Sequence, residues 1–142
     1  MVENFRCIAR RAVMIVLVVY WLTLFIGTHL PSPPTRGQHF NDKSLHFAAY
    51  GGLGFLLSWT CLRRHRTWKG CAAVLAIIAI YGIADEASQI LVPPRAAEIG
   101  DWVADLVGGL AGLSLYLIAV AIRTDRGMPD CPTSTLVRKD AA

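Results

Sequence analysis

Ionisable side chains occur at regular spacing near the ends of the apolar segments of this 142-residue chain. Asp42, His46 and Tyr50 are four residues apart, so a helix would place them on one face. Asp85 and Glu86 are adjacent near the end of a later apolar segment. Carboxylates beside an imidazole can transfer protons, bind a cationic group or ligate a divalent metal. These residue types therefore predict a binding or catalytic site, with His46, Asp85 and Glu86 as the catalytic candidates.

Further polar residues come after the third apolar segment and at the start of the fourth. Asp101 and Asp105 are one helical turn apart there. The complete set of candidate ligand-binding residues is Asp42, Lys43, His46, Tyr50, Asp85, Glu86, Gln89, Arg95, Glu98, Asp101 and Asp105. The acids outnumber the bases in this set, so we expect either protonated carboxyls or a cationic ligand among them.

Four apolar segments must position these residues. Each is close to the length of about 20 residues that a helix needs to cross a membrane. They are residues 12–30, 45–62, 70–92 and 102–122. Backbone polar groups cannot stay unpaired in lipid, so each segment is predicted to be a helix. A soluble helical bundle would need a polar stripe on every helix, and the first segment has none. The predicted fold is an all-α membrane protein, a bundle of four transmembrane helices.

The distribution of Lys and Arg predicts the orientation of that bundle. Eleven of the 14 lie in the N-terminal tail, in the loop between the second and third segments, or in the C-terminal tail. Positive residues favour the cytoplasmic side, so both termini are expected in the cytoplasm. The organisation is then a cytoplasmic tail at 1–11, a membrane domain at 12–122 and a disordered cytoplasmic tail at 123–142. The basic residues are expected to contact the lipid bilayer, and no nucleic-acid site is predicted.

Burial of charge in a membrane is costly. A charged residue at the centre of a transmembrane helix is penalised by about 2.5–3.5 kcal/mol on insertion scales. Such residues usually face the interior of a bundle or a water-filled cavity and mark a functional site. The topology brings the candidate residues to one side of the membrane. We therefore expect a polar pocket open to the extracytoplasmic side, with simple bonding between helices as the structural alternative.

Small residues recur on the fourth segment. Ala104, Gly108 and Gly112 are spaced four apart, a pattern that lets helices approach closely. We interpret it as packing within the bundle, and a homodimer through the same residues is the alternative.

These features together resemble the VanZ-like family of small bacterial membrane proteins over residues 40–116. The resemblance is carried by four stretches: the segment from Asp42 to Tyr50, the segment from Asp85 to Gln89, the segment from Pro94 to Asp101, and Asp105 with Gly108 and Gly112. One departure is Asp105, where the family often has Asn. The resemblance implies a multi-pass protein of the bacterial cytoplasmic membrane with a role at the cell envelope, linked in the family to susceptibility to the glycopeptide teicoplanin.

Three functions stay open from the sequence. The first is binding of a lipid-linked envelope component or a glycopeptide at the polar pocket. The second is a membrane-embedded, metal-dependent enzyme acting on a lipid-linked substrate. The third is a transporter or a subunit of a larger membrane complex. The sequence assigns no cofactor and no metal.

Overall fold

A computed structural model of the chain describes residues 2–29, 39–63, 66–91 and 98–125. Within these residues all regular secondary structure is helical, which confirms the all-α prediction. The four helices are α1 (Val2–His29), α2 (His39–Cys61), α3 (Trp68–Gln89) and α4 (Ile99–Asp125).

Helices α1, α2 and α4 extend beyond their apolar segments into the flanking polar sequence. Helix α1 begins at Val2, inside the predicted N-terminal tail, and ends two residues before Pro31 in the sequence. Helix α2 begins at His39, six residues before its apolar segment. This early start places Asp42 and His46 on the same helix face, because the turn that carries them is helical. Most of the predicted C-terminal tail lies outside the described residues.

Three of the helices are long and apolar enough to cross a membrane: Arg11–His29, Trp68–Gln89 and Ile99–Thr124. Large apolar side chains such as Ile15, Leu22 and Ile80 are exposed on their outer faces, as expected for contact with lipid. Helix α2 is less apolar, since its first two turns carry charged residues. It contacts each of the other three helices, as α3 also does, and its most extensive contact is with α4.

Helices α2 and α4 pack with their backbones in contact. A Cβ atom at Gly108 would collide with the backbone of Phe47, and one at Gly112 would collide with the carbonyl of Gly51. Both α4 glycines are buried. The small residues therefore pack against α2 of the same chain, and a homodimer through them stays a prediction.

The polar ends of all four helices meet. Thr28, near the end of α1, bonds to Asp85, near the end of α3. Lys43, near the start of α2, bonds to Asp101, near the start of α4. Glu86, near the end of α3, accepts a bond from the backbone of Glu98, directly before α4. Helices α1 and α3 therefore run towards the end that we call the polar end, and α2 and α4 run away from it. The opposite end, which we call the basic end, carries the exposed residues Arg63, Arg66, Lys69 and Arg123.

Candidate functional site

Asp85 lies at the centre of the polar end and is only 1% exposed. Its Oδ1 atom accepts a hydrogen bond of 2.8 Å from the Thr28 hydroxyl. Its Oδ2 atom accepts bonds of 3.4 Å from the Tyr50 hydroxyl and 3.3 Å from Gln89 Nε2. Three helices thus supply donors to one buried carboxylate. Buried polar groups need such partners, so this arrangement joins α1, α2 and α3.

A second buried group joins α2, α3 and α4. His46 Nδ1 lies 2.9 Å from Asp105 Oδ1, and both side chains are almost completely buried. Glu86 Oε2 accepts a bond of 3.0 Å from the backbone N–H of Glu98. The other oxygens, Glu86 Oε1 and Asp105 Oδ2, are buried and have no hydrogen-bond partner among the described residues. Buried polar atoms are almost always partnered in native proteins, so these two oxygens require an explanation.

A third group lies at the rim. Lys43 Nζ donates to Glu98 Oε2 at 2.8 Å and to Asp101 Oδ1 at 2.7 Å. The hydrogen bond to Asp101, and then the one to Glu98, raise the pKa of Lys43, so this amine stays charged at neutral pH. The Lys43 side chain is 40% exposed, and ion pairs this accessible contribute little to stability. The rim group therefore fixes charge at the entrance to the cluster more than it stabilises the fold.

Sequence reasoning missed the contribution of α1 and of Ser88. His29 Nε2 lies 2.9 Å from Ser88 Oγ, and His29 Nδ1 lies 3.9 Å from Asp85 Oδ1. The same Nδ1 lies 2.7 Å from the carbonyl of Phe25, which can only accept, so Nδ1 carries a proton. The sequence did contain a signal for them. Thr28 and His29 are near the end of the first apolar segment, and the predicted topology places that end on the same side of the membrane as the other polar residues.

The structure brings ten of the eleven predicted site residues to the polar end, and Arg95 lies outside the described residues. We call the following set the polar cluster: Thr28, His29, Asp42, Lys43, His46, Tyr50, Asp85, Glu86, Ser88, Gln89, Glu98, Asp101 and Asp105. Two subsets have donor atoms within 4.8 Å of one another, a spacing that could hold a metal ion. The first is Asp42, His46 and Asp101, and the second is His46, Glu86 and Asp105.

A groove on the outer surface of α3 and α4 borders the cluster. Its volume is about 240 Å³, and it is lined by Ile83, Glu86, Glu98, Ile99 and Trp102. The Trp102 indole is held in place because its Nε1 donates to the carbonyl of Ala79 at 3.2 Å. The groove is shallow and mainly apolar, with two carboxylates along it. The extracytoplasmic polar pocket expected from the sequence stays a prediction.

Comparison with known proteins gives one family. The family model described as VanZ/LLP1 matches residues 28–120, which includes the whole polar cluster. No curated protein and no solved structure matches the chain significantly.

Proposed function

The chain belongs to the VanZ/LLP1 family, and from that premise we propose that it is a multi-pass protein of the bacterial cytoplasmic membrane that binds a cell-envelope component at its polar end. Three helices have the length and apolarity to cross a membrane. The single observation that carries the binding role is the apolar groove beside the polar cluster, which Glu86 and Glu98 line together with Ile83, Ile99 and Trp102.

Chain direction supports α2 as the fourth membrane-spanning helix. Helices α1 and α3 both run towards the polar end, as the contact between Thr28 and Asp85 requires. If both cross the membrane, the chain must return between them, and α2 is the segment that does so. The exposed Arg and Lys residues of the basic end favour the cytoplasm. The polar end would then face the extracytoplasmic side, with both termini inside.

The lining of the groove suits one part of an amphiphilic ligand, since its volume of about 240 Å³ is below the roughly 300–1,000 Å³ of pockets that enclose a drug-sized ligand. Its Ile83, Ile99 and Trp102 walls suit an acyl or other apolar chain, while Glu86 and Glu98 suit a cationic or hydrogen-bond-donating head group. A lipid-linked envelope molecule or a glycopeptide has both parts. This ligand class agrees with the teicoplanin-linked role that the family resemblance implies.

A groove-filling substitution tests this function. Ile83→Trp fills the groove, whereas Ile80→Trp, one turn away on an exposed part of α3, adds the same ring outside it. The full chain would be purified in nanodiscs, titrated with teicoplanin, and analysed by native mass spectrometry for co-purified lipid-linked molecules. We expect saturable binding or a discrete adduct for the wild type and Ile80→Trp, and neither for Ile83→Trp. Equal behaviour of the two variants, or no ligand on the wild type, would exclude the groove as the binding site.

The enzymatic alternative draws support from the two metal-capable subsets that share His46. The contact between His29 and Ser88 does not by itself make a nucleophile, because the Ser88 hydroxyl also bonds to the carbonyl of Asp85 at 2.8 Å. Turnover of a lipid-linked substrate by the purified chain would favour the enzyme. A transporter is less well supported, because every buried ionisable carboxylate or imidazole among the described residues lies at the polar end and none lies towards the basic end.

A further inference from the structure

Three buried side chains at the polar end hold more acceptor atoms than the described protein supplies with donors. His46, Glu86 and Asp105 are 4%, 7% and 0% exposed. Within the part of the chain that the structure describes, neither Glu86 Oε1 nor Asp105 Oδ2 has a hydrogen-bond partner. A buried acceptor left unpaired costs about 1–3 kcal/mol, and more if it is charged. Two such oxygens in one group indicate that a ligand completes it.

The spacing of the three side chains suits a metal ion. One donor atom from each lies within 4.8 Å of the donor atoms of the other two. Around a tetrahedral ion with bonds of about 2.0–2.2 Å, the ligand atoms stand about 3.3–3.6 Å apart. Donor atoms no more than 4.8 Å apart reach this spacing by movements of about an ångström or less, which small side-chain rotations supply.

The donor types select the class of ion. Mg²⁺ and Ca²⁺ prefer oxygen ligands alone, whereas an imidazole with carboxylates suits Mn²⁺, Fe²⁺ or Zn²⁺. A doubly charged ion would also balance two carboxylates, which removes the net charge from a buried position. We infer that His46, Glu86 and Asp105 form a binding site for a divalent transition-metal ion.

A rival group at the rim shares one ligand with this site. Asp42, His46 and Asp101 also have donor atoms within 4.8 Å of one another. However, Asp101 Oδ1 already accepts a charged hydrogen bond of 2.7 Å from Lys43 Nζ. An ion there would be repelled by the nearby ammonium group. The buried group has no such cation among the described residues, so it is the better site.

The ion would lie beside the groove, because Glu86 both belongs to the site and lines the groove. A fourth ligand, either water or an oxygen of an envelope molecule, could enter from that side. The metal site does not depend on the proposed function, since the ion would neutralise the buried carboxylates even with the groove empty.

Manganese titration tests the site. The full chain, without an affinity tag, would be purified in nanodiscs, stripped with EDTA and titrated with Mn²⁺, with free Mn²⁺ counted by electron paramagnetic resonance. Mn²⁺ suits this test because carboxylates bind it better than thiols do, so the free cysteines Cys61 and Cys71 contribute little. We expect one Mn²⁺ per chain and its displacement by a lower concentration of Zn²⁺. No saturable binding of either ion to the wild type would overturn the inference.

Isosteric variants locate the ion. Glu86→Gln and Asp105→Asn should each weaken Mn²⁺ binding at least tenfold, while Asp101→Asn, in the rival group, should change it less than twofold. The opposite pattern would assign the ion to the rim and overturn the buried site. Asp105→Asn keeps an oxygen for His46, so it decides the question if Glu86→Gln does not fold. Ile83→Trp separates the two proposals, because it should abolish groove binding and leave Mn²⁺ binding intact.

Discussion

Gly108→Ala is the substitution that most directly probes the packing beneath the polar cluster. In the structure an added Cβ at Gly108 would lie 3.0 Å from the Cα and carbonyl carbon of Phe47 and would overlap the Phe47 carbonyl oxygen. The obstructing atoms belong to a helix backbone and cannot rotate away. The methyl group must therefore push α4 away from α2.

The size of the effect follows from two opposing contributions. Overpacking a tight interface costs about 1–3 kcal/mol, and a rigid backbone neighbour places Gly108→Ala near the upper figure. Ala is favoured over Gly in a helix by about 1 kcal/mol. The net loss is then about 2 kcal/mol. Gly27→Ala is the matched control, because nothing lies within 4 Å of its added Cβ and it should gain about 0.5–1 kcal/mol.

The two variants would be compared by reversible unfolding in mixed micelles, titrated with SDS and followed by circular dichroism, with the oligomeric state measured alongside. We expect changes of opposite sign and an unchanged oligomeric state. A Gly108→Ala protein as stable as the wild type would mean that α2 and α4 do not cross at this glycine. The contact of His46 with Asp105 depends on that crossing and would then be wrong too. Dissociation of a dimer by Gly108→Ala would instead show that the glycine lies in an interface between chains.

Substitutions at three further positions have expected outcomes in the same unfolding assay. Asp85→Leu removes the acceptor of three neutral donors, two of them buried, and should destabilise the fold by about 2–6 kcal/mol at about 1–3 kcal/mol for each unpaired buried donor, with Asp85→Asn costing less because one acceptor oxygen remains. Lys43→Met should cost at most about 1 kcal/mol, since the ion pair is accessible to water. The pKa of Lys43 is raised, so the contribution of its ion pair to the free energy of unfolding should be constant below about pH 10 and decline only above it. A loss of that contribution between pH 6 and 8 would contradict the ion pair. Tyr20→Phe removes the 2.8 Å bond to the carbonyl of Ala49 and should cost about 1 kcal/mol; no measurable loss would mean that the two helices are not joined there.

Much of the architecture is predictable because lipid restricts the choices. Four apolar segments predict four helices, and each lies largely within an observed helix. The shared face of His46 and Tyr50 was also predictable from spacing, and their rings are stacked with centroids 6.4 Å apart.

The pairings within the cluster were not predictable. Spacing along one helix does not determine which carboxylate of α3 or α4 meets His46, because that depends on the rotation of each helix about its axis. The rotation of α4 follows from the contact of its glycines with α2, and the sequence alone left a contact between chains open. Thr28 was missed for a similar reason, since its role needs the end of α1 to lie beside Asp85.

The central claim is that the polar end opens on the extracytoplasmic side. It can be tested by single cysteines placed at the two ends of the bundle, in a chain whose four native cysteines are replaced by serine. The two positions are Ile99, which is exposed at the polar end, and Thr67, which is exposed at the basic end. In intact spheroplasts, a membrane-impermeant maleimide should label Ile99→Cys, and it should label Thr67→Cys only after permeabilisation. The reverse pattern, or labelling of both from outside, would contradict the orientation and the proposed envelope-binding role.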